Sequence, residues 1–289
     1  NFVAPVSDIE AQIAAIWARV LGVPKVGAKD NFFALGGHSL LAVQVHHHGV
    51  PTRMLENQPP FLYAGAQISG QELPLHWKCS HISGYKPQTN RINPQLGWIE
   101  WCDTRLVPDW QAPAFDDAPW ASPVKVIRRL GPLTPLSSAN VRSITDELKP
   151  LSAGRLVERF GYEADNPAAR FFLRDLEARK HPPQGVWRRY DLGRVRLARP
   201  KFVLDLPPGA VVEFAYSEEL FRGRVAPWIT LSGGNSCNLD HYVARGGRQV
   251  FFPLTPKGVR FLEVHIIAPI KQISFVEERV EERCYYGEP

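Results

Sequence analysis

Residues 30–40 read Asp30-Asn31-Phe32-Phe33-Ala34-Leu35-Gly36-Gly37-His38-Ser39-Leu40, the sharpest local signal in the chain. A serine that an external enzyme must modify has to stand exposed where a loop enters a helix. Glycines before it let a second backbone approach, and the amides of the helix start favour a phosphate attached there. Ser39 has that setting: Gly36, Gly37 and His38 precede it and Leu40 opens an apolar run. The competing reading makes Ser39 only a helix N-cap, a frequent role for serine at such a junction.

A second set of residues suits sugars. Aromatic rings stack on the apolar faces of pyranoses while carboxylates and arginines bond the hydroxyls; Trp228, Tyr216, Asp240 and Arg260, together with Trp187, are of these types. The competing reading assigns Trp98, Trp101, Trp120 and Trp187 to packing, and Trp228, after Pro227 in a loop, is the ring expected to be least buried. Glu213, Glu218, Glu219, Asp240 and Glu263 read as solvent-facing or hydrogen-bonded strand residues, with no acid and base assigned among them. No metal site is expected: the side chains of His46-His47-His48 diverge in an extended chain and would need distant help to close a site. Cys79, Cys102, Cys237 and Cys284 lie far apart and form no Cys-x-x-Cys pair. Gly233-Gly234 lacks the pattern of a phosphate loop.

The elements that must position these groups change character along the chain. Ser7 with Glu10 three positions later is a capping-box pattern, and Ile9, Ile13, Ile16 or Trp17, and Val20 or Leu21 recur at helical spacing until Gly22. Residues 23–37 form a loop, and a second helix is expected to start at Ser39. A boundary is placed at 46–51, where His46-His47-His48-Gly49-Val50-Pro51 breaks the helical pattern. Residues 46–95 form a linker or irregular region, and residues 96–182 a first β region whose part from 140 to 182 is a polar, arginine-bearing insertion, partly helical around 170–179. Strands are expected at 98–101, 123–127, 202–206, 211–216, 259–267 and 270–276, and 239–244 should pair with 249–252 across an Arg245-Gly246-Gly247-Arg248 hairpin turn. The predicted fold class is α+β multidomain: residues 1–45 as a short helical segment, then a mostly antiparallel β-sandwich, with the clearest strands in 183–289.

Composition narrows the function classes. With 289 residues, 44% hydrophobic, the chain has apolar surface for real cores and room for two or three domains. No apolar run is long enough to span a bilayer and no export signal is visible, so a cytoplasmic location and no membrane partner are expected. The net charge of +5 is scattered as single arginines among acids rather than clustered with aromatics, which argues against nucleic acid.

Residues 7–45 resemble the first half of a peptidyl carrier domain of nonribosomal peptide synthetases, through the aspartate, the paired Phe32 and Phe33, and Leu35-Gly36-Gly37-His38-Ser39-Leu40. The resemblance implies that Ser39 carries 4′-phosphopantetheine, a thiol arm for thioester carriage, with a phosphopantetheinyl transferase and synthetase domains as partners. Carrier domains continue with further helices, and nothing after His46 resembles them. Residues from about 96 to 289 resemble the noncatalytic β-sandwich modules of bacterial α-L-rhamnosidase-like glycoside hydrolases. The residues that carry this are Phe115-Asp116-Asp117-Ala118-Pro119-Trp120, Gly185-Val186-Trp187-Arg188-Arg189-Tyr190-Asp191, Tyr216-Ser217-Glu218, Asp240-His241-Tyr242 and Gly258-Val259-Arg260-Phe261. That family's catalytic helical toroid has no counterpart here, so the expectation is a noncatalytic chain. The alternative is a carbohydrate-binding or structural accessory part, with a rhamnose-containing glycan or a hydrolase catalytic domain as partner.

Overall fold

The structure is a computed structural model that describes residues 2–30, 43–45, 60–68, 71–73, 75–93, 97–110, 112, 115–126, 142–157, 166–176, 181–228 and 236–284. Two compact units divide the chain, Asn1–Gln44 and Val45–Pro289.

In the first unit α1 spans Asp8–Leu21. Its start is fixed by Ser7, whose hydroxyl accepts from the Glu10 amide at 3.2 Å, while the Glu10 carboxylate reaches back to accept from the Val6 amide at 2.6 Å. Its end is fixed by Gly22, left-handed at φ 65°, which turns the chain where a side chain would be strained. The expected apolar face is present, but Ile9, Ile13 and Ile16 stand exposed rather than packed. The second helix expected from Ser39 lies outside the described residues.

The second unit is built on strands. Two short hairpins come first, β1 (Ala66–Ile68) with β2 (Gln71–Leu73) and β3 (Arg91–Asn93) with β4 (Gly97–Trp98), followed by β5 (Trp101–Asp103), β6 (Arg142–Glu147) and β7 (Ser152–Leu156). After α2 (Pro167–Leu173) come β8 (Gly185–Leu206), β9 (Val211–Ser217), the pair β10 (Leu220–Phe221) and β11 (Arg224–Val225), β12 (Leu239–Val243), β13 (Gly247–Phe251), β14 (Lys257–Ile267) and β15 (Ser274–Cys284). One hydrogen-bonded path runs β5-β12-β9-β14-β8-β15-β6, antiparallel except for β5 with β12.

The 22-residue β8 makes this path a sandwich. Its first part, residues 185–191, lies between β14 and β7. Its last part, residues 198–206, lies between β15 and β13. One strand thus serves both layers, with Gly193 at φ 78° and a register shift opposite it, between Val259 and Phe261, where the two parts meet. Between the layers a chain of edge-to-face rings, Tyr190, Phe202, Phe214, Tyr242 and Phe251, joins β8, β9, β12 and β13 at centroid spacings of 5.3–6.0 Å. The opposite face of β9 is covered too: Ala215 packs with Phe171 of α2 and with Ile92, Ile99, Val225, Cys237 and Leu239. β9 is therefore buried on both sides, not on one as its alternation suggests.

Other expectations are corrected. Residues 123–126 form no strand, and Val124 is 88% exposed. The insertion at 140–182 supplies β6 and β7 as well as a helix, and β5, β6 and β7 are hydrogen-bonded to strands of 183–289, so the expected border at 182/183 runs through one sheet. No hairpin joins 239–244 to 249–252: β12 pairs with β9 and β13 with β8, so Gly246 and Gly247, both at positive φ, carry the chain from one layer to the other. Residues 270–272 are a single 3₁₀ turn, with β15 beginning at Ser274.

Candidate functional site

Ser39, Gly36, Gly37, His38 and Leu40 lie outside the described residues. Of the carrier-like segment the structure describes α1 and the turn after it, where the Asp30 carboxylate accepts from the Gly27 amide at 2.7 Å.

The four sugar-type residues are not brought together. Tyr216, 1% exposed, points into the sandwich and donates to the Asp240 carboxylate at 2.6 Å, and Asp240 itself is fully buried. Neither presents a surface to a glycan, because both strands that carry them are covered on that face. Arg260 is half-buried on β14 and paired with Asp191 at 3.0 Å. Trp228 is half-buried in an aromatic group with Phe172 and Phe221, at 4.6 and 6.0 Å between centroids, and Phe221 is 47% exposed. Trp187 is buried and its indole N–H reaches the Leu176 carbonyl at 3.4 Å, a packing residue.

A buried polar assembly among the described residues was not anticipated. Strand register sets Trp101, His241, Glu213, His265 and Trp187 in one row across β5, β12, β9, β14 and β8, with Ala215, Glu263 and Arg189 in the next row. α2 closes over them: Phe171 stacks on the His265 imidazole at 3.6 Å and 13°, and Arg174 bonds Glu213. His241 Nδ1 is 2.9 Å from Glu213. Glu263 accepts from Arg189 Nε at 2.7 Å and faces His265 Nε2 at 2.9 Å.

Burial would push both carboxyls up, but their hydrogen-bonding and charged partners overcome it. Arg174 and then His241 hold Glu213 far below the usual range, and His265 with Arg189 and Arg224 brings Glu263 to about 2. His265 is lowered to about 4, burial outweighing the pull of Glu263. The geometry agrees with a neutral ring: Nδ1, 3.1 Å from an Arg174 N–H, must accept, so the proton sits on Nε2 facing Glu263. Both carboxylates are thus ionised and committed to buried partners, a structural clamp rather than an acid and base facing a substrate. The signal in the sequence was slight: Glu213 stands among apolar residues of β9, and Glu263 and His265 sit two apart in the apolar half of β14, on the face that their alternation would assign to water.

Arg224 completes this assembly from β11. The Arg224 guanidinium caps the C-terminal end of α2, donating to the carbonyls of Phe171 at 3.2 Å, Arg174 at 3.0 Å and Phe172.

Residues 11–48 match the family model described as a phosphopantetheine attachment site. Malpibaldin synthetase of Mortierella alpina is 62% identical over 45 residues, which is 16% of this chain and 1% of that protein. Gramicidin S synthase 2 of Brevibacillus brevis is 61% identical over 50 residues, again 16% and 1%. The GH78 family rhamnosidase of Bacillus sp. GL1 superposes with a TM-score of 0.52 at 12% identity, over 77% of this chain and 44% of that one, which shows a shared fold. The chain spans only one or two per cent of the length of the synthetases it matches. Residues 11–48 are thus similar to a phosphopantetheine attachment site and to segments of the synthetases named above, and the strand region shares a fold with part of a rhamnosidase.

Proposed function

We propose that Ser39 carries a 4′-phosphopantetheine arm and that the chain acts as a thioester carrier linked to a noncatalytic β-sandwich. The observation that carries this is the match over residues 11–48, within which Leu35-Gly36-Gly37-His38-Ser39 holds a serine between a glycine pair and an apolar run. A phosphopantetheinyl transferase installs the arm and peptide synthetase domains load and unload it. The reading sets the chain in the cytoplasm; the buried thiols of Cys102 and Cys237, both pushed up to about 12 chiefly by burial, suit a compartment where thiols stay reduced. Incubation with coenzyme A and a broad-specificity transferase should raise the intact mass by one phosphopantetheine in the wild type and not in Ser39→Ala. An unchanged wild-type mass rejects the reading.

A second reading rests on Trp228. Its place beside the exposed Phe221 fits an accessory surface for a rhamnose-containing glycan. Calorimetric titration with rhamnosylated oligosaccharides should then give heat that Trp228→Ala removes; no heat with the wild type ends this reading.

A further inference from the structure

β12 and β14 lie on either side of β9 and pair with it, not with each other, yet one side chain from each meets the other in the sandwich interior. Lys257, the first residue of β14, places its Nζ 2.5 Å from Oδ2 of Asp240 on β12, and the two side chains are 5% and 0% exposed. An ammonium carries three donors. Among the described residues Asp240 is the one acceptor that Lys257 has, and its charge otherwise rests 4.7 Å over the Tyr216 ring. Glu100 does not compete for it, because its two carboxyl oxygens accept from the Tyr242 hydroxyl at 2.7 Å and from the Leu254 amide at 2.8 Å.

The contacts of Asp240 are divided between its oxygens. Oδ1 accepts from the Glu100 backbone amide at 3.0 Å, and Oδ2 accepts from the Tyr216 hydroxyl at 2.6 Å as well as from Lys257. A fixed N–H on one oxygen stabilises the charge that develops when a nucleophile adds to the carboxyl carbon. A hydroxyl on the other can hand a proton to an oxygen that leaves. The fold has already brought the amine and the carboxyl into contact, so the entropy of their encounter is spent before any bond forms. Ion pairs in a dry interior carry a heavy desolvation cost, and an amide in the same place carries no charge. How strongly this place resists charge shows in the Glu100 carboxyl, raised to about 7 first by burial and then by Asp240.

We propose that Lys257 and Asp240 join in an intramolecular isopeptide bond, a covalent cross-link between β14 and β12 that the folded chain forms by itself. One Nζ proton passes to Oδ2, and the freed lone pair attacks Cγ while the Glu100 N–H holds Oδ1. The bond from Cγ to Oδ2 then breaks. A second Nζ proton reaches the departing oxygen through the Tyr216 hydroxyl, which gives its own proton and takes that one. Ammonium and carboxylate thereby become an amide and one water, with no oxidant or co-reactant. The bond closes a ring on residues 240–257 that contains β13, so the stretch crossing to the other layer is tied at both ends.

Mass spectrometry of the full chain, purified in its folded state, tests this. The intact mass should fall below the sequence mass by one water, and Ser39→Ala should show the same loss, because the cross-link does not depend on the arm. A tryptic digest should contain a branched species in which the peptide holding Asp240 is joined to the one holding Lys257, with no cleavage after Lys257. Lys257→Met should restore the full mass. A wild type at the full sequence mass, or a water lost without the branched peptide, overturns the proposal. Should the variant fail to fold, the wild-type digest decides alone.

Discussion

Glu213 and Glu263 show what a carboxylate in a dry interior requires of its neighbours. Glu213 is held ionised by Arg174 and His241 from other elements, Glu263 by Arg189 of β8 and by His265 two residues along its own strand, and removing one partner strands the charge that remains. Arg174→Met should therefore lower the unfolding free energy by about 3–5 kcal/mol in urea titration, and adding Glu213→Leu should recover much of the loss, because the pair is then absent rather than broken. Gly154 is constrained by sterics instead of charge. A Cβ there would sit 2.7 Å from the Trp187 indole nitrogen, on a backbone that is otherwise ordinary strand. Gly154→Ala should cost about 1–3 kcal/mol in the same titration, since the indole is packed too closely to retreat.

At the scale of elements, the two helices are fixed in different ways. α1 carries its own stops, Ser7 and Gly22, so its limits could be read from the chain. α2 has Asn166 at its start, accepting from the Ala168 amide at 2.8 Å, but its end is held by Arg224, some fifty residues later. Arg224→Ala should thus raise amide exchange in α2 and lower stability by about 2 kcal/mol, the scale of hydrogen bonds from a charged donor. The expected hairpin at Gly246 and Gly247 failed for a related reason. A tight turn sequence says that the chain reverses, not which strands it will then meet, and here the partners β9 and β8 lie in different layers. Residues 123–126 have strand-forming valines but find no neighbour for their backbone among the described residues, and they remain irregular.

For the whole molecule, the buried titratable groups oppose one another. His265 is neutral in the fold, with its acidity at about 4 against an ordinary 6.5. It adds stability above the ordinary value, and that stability is lost as pH falls towards 4. Glu100, raised to about 7, does the reverse: its contribution is complete below 4.5 and is lost as pH rises to about 7. The two slopes offset one another between about pH 5 and about pH 6. Unfolding measured across that range should be nearly flat for the wild type, while Glu100→Gln should lose stability as pH falls, at up to about 1.4 kcal/mol per pH unit. Below that range Glu213 and Glu263, both held low, must take up protons on unfolding, so acid should destabilise every variant that retains them.

Local features of the chain determined the capped helix, the strand-rich character of the second unit and the Ser39 motif, because each depends on neighbours a few residues apart. The tertiary structure decided which polar residues are buried. Tyr216 and Asp240 have the types of a sugar site, yet their strand positions turn them inward, where Lys257 of β14 and the backbone amide of Glu100, just before β5, meet Asp240. Glu213 and Glu263 alternate as surface residues would, and only the arrival of α2 and β11 makes that face an interior. Partners separated by tens of residues have no local pattern, since it is strand order and register that bring them within hydrogen-bond reach.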